Sequence, residues 1–376
     1  MDPICQDVPC SLSNFVDTFV DFTVSGLFLS HQKPQQQQKS TYPSQPRLLA
    51  VGDLHGDLQK AKQALKMAQI IDENDRWIAG DSMVVQLGDI LDRGGEELKL
   101  LYFLEKLKQG AEKSNGKLLI LQGNHEIMNI EGDFRYVTKA GLEEFKNWGD
   151  WFSIGIQMKS LCKELEKQIN IFTGVPKNYP PGIRARIAAL RPGGPISTRF
   201  LADNPTVLLV GGCVFVHGGI LPCHAYLGFD WINEEVKDWI NGLKGRFGPD
   251  FVRGRDSLVW LRKFSEQSEK NCECSLLEHA LSAIPEAKRL IVGHTIQESG
   301  INGACNNQVI RVDVGLSKGC INGLPEVLEI RGDSELKVLT SNPLYQKRGA
   351  ILKQEERVGL GLLLKDNGVK PIEVKA

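Results

Sequence analysis

Short apolar runs rich in Val, Ile and Leu alternate with longer amphipathic stretches from about residue 47 onward. Short apolar runs of this kind predict buried strands, and apolar positions three or four residues apart predict helices. The predicted helices cover residues 58–71, with Leu58, Ala61, Leu65 and Ala68 on one face, and residues 96–108. The predicted strands are 47–51, 83–87, 117–121, 207–210, 214–216, 289–292, 309–314, 327–330 and 336–339.

The order of these elements predicts the fold class. Residues 134–205 are predicted to form a mostly helical insertion, and Gly211-Gly212 is a hairpin signal between two strands. Alternating strands and helices followed by a closing series of strands predict an α/β protein, a four-layer α/β/β/α sandwich with a helical insertion.

The two ends of the chain differ from this pattern. Residues 15–29 are apolar but contain Asp17 and Asp21, which predicts an amphipathic segment that packs on the protein or on a partner. Residues 31–46 are rich in Gln, Pro and Ser and predict a linker. We therefore expect an N-terminal region over 1–46, a main domain over 47–345 and a C-terminal tail over 346–376.

Composition excludes several classes of protein. The chain has 45 Lys and Arg against 46 Asp and Glu, a net charge of −1, so no basic surface for nucleic acid is expected. No apolar run reaches the roughly 18 residues that a membrane span needs. The first ten residues contain no Lys or Arg, which predicts neither a secretory signal nor a plastid transit peptide.

The nine cysteines are scattered rather than dense, which favours a reducing compartment such as the cytosol. The pairs Cys5/Cys10 and Cys272/Cys274 are the candidates for disulfides, although free thiols are the favoured interpretation. If these pairs are oxidised, the alternative location is the mitochondrial intermembrane space, with a protein partner or redox relay acting at the N-terminal segment.

Polar clusters follow the predicted strands. Gly-bounded groups of oxygen and nitrogen donors lie directly after three successive strands, and two further histidines end later strands; the five segments are GDLHG (52–56), GDILDRG (88–94), GNHE (123–126), VHGG (216–219) and VGHT (292–295). Sites in open α/β sheets lie at the carboxyl ends of strands. Glycines let the backbone turn sharply there, and carboxylate and imidazole donors suit divalent metals. The order of the five segments predicts a metal centre.

These motifs resemble those of the phosphoprotein phosphatase family of metallophosphoesterases, over residues 47–340. The strings DRGGEELKLLYFLEKLK (92–108) and GNHEIMNIEGDFRYVT (123–138) are similar to the Shewanella-like protein phosphatases, a bacterial-type branch found in plants. The resemblance implies a calcineurin-like metallophosphoesterase fold in the main domain. It also implies hydrolysis of phosphate monoesters on phosphoproteins, at Ser/Thr with Tyr left open, by a hydroxide that two metals activate.

The resemblance assigns two divalent metal ions to each chain. One ion would be held by Asp53, His55 and Asp89, and the second by Asp89, Asn124, His217 and His294. The family favours Mn²⁺, and the donor set also suits Fe or Zn.

The resemblance also assigns catalytic and substrate-binding roles. His125 would be the general acid that protonates the leaving group, oriented by Asp92. Arg93 and Asn124 would bind the substrate phosphate. A second phosphate-binding arginine is expected within residues 253–262, where Arg253, Arg255 and Arg262 are all candidates and Arg262 is the one we put forward.

Three other functions compete with this one. Cys305 and Arg311 have the spacing of a cysteine-dependent phosphatase loop, but such a loop needs backbone amides that converge on phosphate, and residues 308–314 have the pattern of a strand instead. Dinucleoside polyphosphate hydrolases share the first two motifs, although their third normally ends in GNHD. A non-catalytic metal-binding docking module is the third alternative, and in such modules a ligand or the general acid is normally missing.

Overall fold

The computed structural model describes residues 3–29, 39–160, 170–266 and 268–342, and the backbone alone for residues 3–10 and 269. The helices are α1 (Pro3–Ser25), α2 (Leu58–Met67), α3 (Glu97–Lys113), α4 (Asn124–Glu131), α5 (Lys139–Ser160), α6 (Pro181–Leu190), α7 (Pro222–Leu227), α8 (Phe229–Ile240) and α9 (Cys274–Ser282). The strands are β1 (Thr41–Tyr42), β2 (Leu48–Val51), β3 (Met83–Gln86), β4 (Lys117–Ile120), β5 (Val207–Val210), β6 (Cys213–Val216), β7 (Arg289–Val292), β8 (Asn302–Ala304), β9 (Val309–Arg311), β10 (Glu326–Arg331) and β11 (Glu335–Thr340).

The strands form two mixed sheets. The five-stranded sheet has the order β11-β10-β2-β3-β4, in which β2, β3 and β4 are parallel and β10 is antiparallel to β2. The six-stranded sheet has the order β1-β5-β6-β7-β9-β8, in which β6, β7 and β9 are parallel. The carboxyl ends of three parallel strands in each sheet therefore lie along one edge of that sheet.

The six-stranded sheet separates two hydrophobic cores. Along β5, Leu208 and Val210 belong to a large core shared with the other sheet, whereas Val207 and Leu209 belong to a smaller core. The smaller core also contains α9 residues and Phe264. Because successive side chains of a strand point to opposite faces, this alternation shows a sheet covered on both sides. The α/β/β/α sandwich predicted from the sequence is confirmed.

The predicted hairpin at Gly211-Gly212 is confirmed, since β5 and β6 pair antiparallel around it. The predicted helical insertion contains α5, α6 and a π-helical turn at Ser197–Leu201. Three boundaries differ by three or more residues. The strand predicted over 309–314 ends at Arg311, α2 ends at Met67 rather than at 71, and α3 continues to Lys113 rather than ending at 108.

The linker predicted over residues 31–46 is wrong in its last part. Thr41 and Tyr42 form β1, which pairs in parallel with Leu209 and Val210 at the edge of the six-stranded sheet. Backbone hydrogen bonds to a sheet edge need no apolar side chains, so a polar composition did not reveal this strand. The tail predicted over 346–376 lies outside the described residues.

Residues 15–25 of the amphipathic segment predicted over 15–29 form the second half of α1, which begins at Pro3 and packs on α3 and α5. Its Val16 and Val20 are buried. The Asp21 carboxylate accepts hydrogen bonds from both terminal nitrogens of Arg199 at 2.8 Å and from the Tyr102 hydroxyl at 2.9 Å. In the described part of the chain, no helix combines the length and apolar character needed to cross a membrane.

The disulfide candidates have a different partner from the one expected. Cys274 forms a disulfide with Cys305, and the sulfur of Cys272 lies 3.2 Å from that of Cys305. For Cys274, both the candidate pairing with Cys272 and the favoured free-thiol interpretation were wrong. Cys274 begins α9, and its Cα atom lies 5.4 Å from that of Cys305 in the loop between β8 and β9. The side chains of Cys5 and Cys10 lie outside the described residues.

Candidate metal and phosphate site

The predicted donors are brought to one place by the strand ends. Asp53 follows β2, Asp89 follows β3, Asn124 follows β4, His217 follows β6 and His294 follows β7. All five side chains are buried, and the carboxyl ends of the two sheets meet around them. The six residues predicted to bind metal, these five and His55, therefore form one cluster.

Asp89 is at the centre of the cluster. Its Oδ2 lies 3.7 Å from His55 Nε2 and 3.3 Å from His217 Nε2. His217 Nε2 also lies 3.0 Å from Asn124 Oδ1. Ligand atoms of His55, Asp89 and His125 lie within 4.8 Å of one another, and so do those of Asp89, His217 and His294. Asp89 is the residue common to both groups.

The orientation of the histidine rings is compatible with metal binding. The Nδ1 atoms of His55 and His217 lie 3.0 and 2.7 Å from the carbonyl oxygens of Leu91 and Leu87. A ring nitrogen that donates to a carbonyl leaves the opposite Nε2 free to bind a metal. Within the described part of the chain, the buried Nε2 of His294 has no hydrogen-bond partner. These donors fit a divalent metal pair.

Burial also keeps two of these rings neutral. It lowers the pKa of His55 to about 4, although Asp89 opposes the effect. Burial, together with the nearby His217, holds the pKa of His294 well below its usual range. Neutral imidazole is the form that binds metals, so both rings are ready to coordinate at neutral pH.

Several of these residues have left-handed backbone conformations. The φ angles are 44° at His55, 55° at Asp89, 67° at Asp92, 60° at Arg93 and 65° at His294. Non-glycine residues in this region are uncommon, and such strain concentrates at functional sites where surrounding contacts enforce it. Here the contacts are tight, because a Cβ on Gly88 would lie 2.5 Å from the backbone nitrogen of Gly123.

Glu126 holds the loops of the second and third motifs together. Its carboxylate accepts hydrogen bonds from the backbone N–H groups of Asp89, Ile90, Leu91 and Gly123, at 2.8–3.1 Å. The last residue of the GNHE motif thus joins the second and third motif loops. The motif signalled this residue, but its role became visible only in the structure.

His125 and Asp92 form a buried pair beside the donors. His125 Nδ1 lies 2.6 Å from Asp92 Oδ2, and His125 Nε2 lies 3.8 Å from Asp89 Oδ2. Burial alone would lower the pKa of His125, but the Asp89 charge and the Asp92 hydrogen bond outweigh it and raise that pKa. These two contacts stabilise the protonated form of the ring relative to an isolated imidazole, and Nε2 lies on the side of Asp89.

A cavity of about 280 Å³ opens over the cluster. Its lining includes Arg93, Arg262, Tyr136 and Trp260, together with the donors other than His217. Arg262 donates to the Thr295 hydroxyl at 2.9 Å and to the His294 carbonyl at 3.3 Å, which fixes it at the cavity wall. Of the three arginines that the sequence left open, the other two are absent from this lining, and Arg253 pairs with Glu131 at 2.9 Å.

Sequence reasoning missed Asp313, Tyr136, Trp260 and Arg186. Asp313 is buried beside Asp53 and also lines the cavity, and burial raises its pKa to about 6. It follows β9, so the same strand-end signal that revealed the other donors would have revealed it had the strand been ended at Arg311. Tyr136 lies in an irregular loop, with its ring centroid 5.3 Å from the Arg93 guanidinium.

The cysteine alternative is excluded by the disulfide. Cys305 is bonded to Cys274 and buried, and the Arg311 guanidinium donates to Asn302 at 2.6 Å and to the carbonyl of Glu266. Neither residue lines the cavity. The spacing of Cys305 and Arg311 in the sequence therefore does not describe a phosphate-binding loop.

Comparisons with known proteins agree with this geometry. The profile of the calcineurin-like phosphoesterases matches residues 46–298. Shewanella-like protein phosphatase 2 of Arabidopsis thaliana is 56% identical over 384 aligned residues, which cover 99% of this chain and 98% of that protein. Shewanella-like protein phosphatase 1 of Plasmodium berghei is 31% identical and covers 72% of this chain and 67% of its own. The similarity to the Shewanella-like protein phosphatases that the motifs suggested is confirmed.

Among solved structures, the cold-active protein-tyrosine phosphatase of a psychrophilic Shewanella species superimposes with a TM-score of 0.56. It is 24% identical, and the match covers 81% of this chain and 80% of that one. A point mutant of a cold-active protein tyrosine phosphatase matches with a TM-score of 0.59 at 23% identity, covering 83% of this chain and 82% of that one. Both similarities concern the fold.

Proposed function

The chain belongs to the calcineurin-like phosphoesterases and, within them, to the Shewanella-like protein phosphatases, and from that premise we propose that it hydrolyses phosphate monoesters on phosphoproteins at the site described above. The observation that carries the proposal is the convergence of donors from several strand ends around Asp89, beside a buried His125–Asp92 pair. An acid, two arginines and a metal-binding cluster around one cavity are what phosphoryl transfer to water requires.

Two divalent ions per chain are part of the proposal. Asp53, His55 and Asp89 would hold one, and Asp89, Asn124, His217 and His294 the other. The mixed carboxylate, amide and imidazole donors suit Mn²⁺, which the family favours, as well as Fe and Zn. When bound, the ions would supply Lewis acidity toward the phosphate and lower the pKa of water.

Arg93 and Arg262 both line the cavity and would bind the substrate phosphate together with Asn124. A guanidinium binds two phosphate oxygens at once, so these contacts fix the orientation of the phosphate as well as its position. The rings of Tyr136 and Trp260 form apolar walls of the cavity. Such walls accommodate the side chain that carries the phosphate, whether from Ser, Thr or Tyr.

His125 would donate a proton to the leaving oxygen through Nε2. Its Nδ1 is held by Asp92, which fixes both the tautomer and the ring orientation. A serine alkoxide is a poor leaving group and needs this proton, whereas nitrophenolate scarcely does. General acid catalysis is typically worth about 10²–10⁴-fold in rate.

The test compares the rates at which Mn-reconstituted protein hydrolyses phosphopeptides and dinucleoside polyphosphates. We expect turnover of phosphoserine, phosphothreonine or phosphotyrosine peptides that is lost on chelation and restored by metal, with slower hydrolysis of diadenosine tetraphosphate. His125→Asn should retain bound metal and lose turnover on phosphoserine peptides about 100-fold or more, with a smaller loss on nitrophenyl phosphate.

His279 is the matched control, because it is a histidine of α9 that does not line the cavity. His279→Asn should leave both activities unchanged. Preferential hydrolysis of the dinucleotide would contradict the phosphoprotein assignment. An absence of hydrolysis of any phosphate ester by metal-loaded protein would favour a docking module instead.

A further inference from the structure

Arg186 is a cation with no exposed surface, and the catalytic roles proposed above do not use it. It lies on α6, in the helical insertion, and reaches the Asp92 side of the His125–Asp92 pair. Burying a charge costs several kcal/mol unless partners compensate for it. The partners of Arg186 therefore indicate what it does.

The guanidinium joins three side chains. Its Nη2 donates to Asp92 Oδ1 at 3.0 Å and to Glu97 Oε2 at 2.6 Å, and its Nη1 donates to Glu97 Oε1 at 3.1 Å. Its Nε donates to Asn129 Oδ1 at 2.7 Å. The ring centroid of Phe145 lies 4.5 Å from the guanidinium carbon, which holds the group on its remaining side.

The two oxygens of Asp92 have separate partners. Oδ2 faces His125 Nδ1, and Oδ1 accepts from Arg186 and, at 3.0 Å, from the side-chain amide of Asn129. The Asp92 backbone N–H donates to Glu97 Oε2 at 2.9 Å. With Oδ1 held in this way, the carboxylate plane cannot rotate, so Oδ2 remains directed at the His125 ring.

A guanidinium suits this position better than an ammonium group. It is planar, stays charged and presents several N–H groups in a fixed fork, whereas a lysine is a single point charge. Here the fork spans two carboxylates and an amide. Without a cation, Asp92 and Glu97 would be two buried anions sharing one site.

We propose that Arg186 is a positioning residue for leaving-group protonation, acting through Asp92 to keep the His125 ring aligned with the departing oxygen. This inference rests on the proposed function. It gives the helical insertion a role in catalysis, because Arg186 of α6 binds the Asp92 oxygen that does not face His125.

A purely structural role would lower turnover on all substrates alike, so the test measures a ratio. Arg186→Lys and Arg186→Gln are compared with wild type on a phosphoserine peptide and on nitrophenyl phosphate, after equal Mn loading. We expect phosphoserine kcat to fall about 10–100-fold, with less than about a 3-fold fall on nitrophenyl phosphate. Metal stoichiometry should stay at the wild-type value.

Arg184→Gln is the matched control, because Arg184 lies on the same helix and stacks on Phe172, 5.4 Å from the ring centroid. Arg184→Gln should leave the ratio of the two activities unchanged. If Arg186→Gln does not fold, Arg186→Gln/Glu97→Gln, which lacks the second buried anion, is the variant to assay.

A double-mutant cycle with Asp92→Asn tests the route of the effect. If Arg186 acts through Asp92, Arg186→Lys should change the activity ratio by less than about 2-fold in the Asp92→Asn background. The inference would be overturned if Arg186→Lys lowered turnover equally on both substrates. It would also be overturned if Arg186→Lys changed the activity ratio as much in the Asp92→Asn background as in wild type. If His125→Asn also lowers turnover equally on both substrates, the general-acid role of His125 in the proposed function is wrong. If only the Arg186 variants lack the substrate-dependent loss, the positioning role of Arg186 alone is wrong.

Discussion

The Asp89 carboxylate lies between 3.3 and 3.8 Å from ring nitrogens of three histidines, His55, His125 and His217. Burial would raise its pKa, but the three rings, His217 first, hold that pKa well below its usual range. The carboxylate is therefore ionised and directed at both groups of donors.

Asp89→Asn should remove most phosphatase activity and lower bound metal below two ions per chain, because an amide bridges two cations poorly. Metal analysis after dialysis measures this directly. The control is Asp81→Asn, an exposed aspartate just before the same strand, which should keep metal and activity. Two ions per chain and normal turnover in Asp89→Asn would show that the bridging assignment is wrong.

Glu126→Gln tests whether the hydrogen bonds accepted by Glu126 stabilise the two motif loops. The carboxylate accepts four backbone N–H groups, and an amide has only one oxygen to offer them. We expect a loss of about 1–3 kcal/mol in the free energy of unfolding, together with weaker metal binding. Urea unfolding of the metal-free protein separates the two effects, and an unchanged unfolding midpoint would argue against this role.

At the scale of elements, the strands were predictable because five of them, β2, β3, β5, β6 and β9, are buried along their whole length and so are largely apolar. Strands β1 and β8 were missed because each has only two or three residues and joins the edge of the six-stranded sheet through backbone pairing, which leaves no apolar run in the sequence. The candidate metal donors were predictable because they directly follow strands. Arg186 was not, because a helix bearing one buried arginine looks like any other amphipathic helix.

Glu144 of α5 links two elements and predicts a pH dependence. Its carboxylate accepts from the backbone N–H groups of Leu98 and Lys99 in the first turn of α3, and burial raises its pKa to about 7. The native state then binds this proton more tightly than the unfolded chain does. The resulting stabilisation is present at low pH and is lost as the pH rises from about 4.5 to about 7.

Between about pH 5 and pH 7.5, wild type should therefore lose up to about 2 kcal/mol of stability relative to Glu144→Gln. Paired urea titrations at the two pH values measure the difference. Glu143→Gln, at the exposed neighbouring position, should follow wild type. Parallel behaviour of wild type and Glu144→Gln would show that the carboxyl group is ionised throughout this range.

At the scale of the whole molecule, the disulfide joins the start of α9 to the loop between β8 and β9, across 31 residues of sequence. Thiol trapping followed by peptide mapping should find Cys274 linked to Cys305 and Cys272 alkylated. Cys305→Ser should lower the free energy of unfolding by about 2–4 kcal/mol. Cys223→Ser, at an exposed free thiol, should not. A Cys272–Cys274 link would contradict the pairing.

Strand β1 covers the β5 edge of the six-stranded sheet, where Leu209 donates its N–H to the Ser40 carbonyl and Gly211 donates to that of Tyr42. A truncated protein that begins at residue 47, where composition places the start of the main domain, would leave these groups without partners. An open, largely apolar edge strand is a template for intermolecular pairing. Such a truncation should therefore aggregate during expression, whereas one that begins at residue 39 keeps the edge capped.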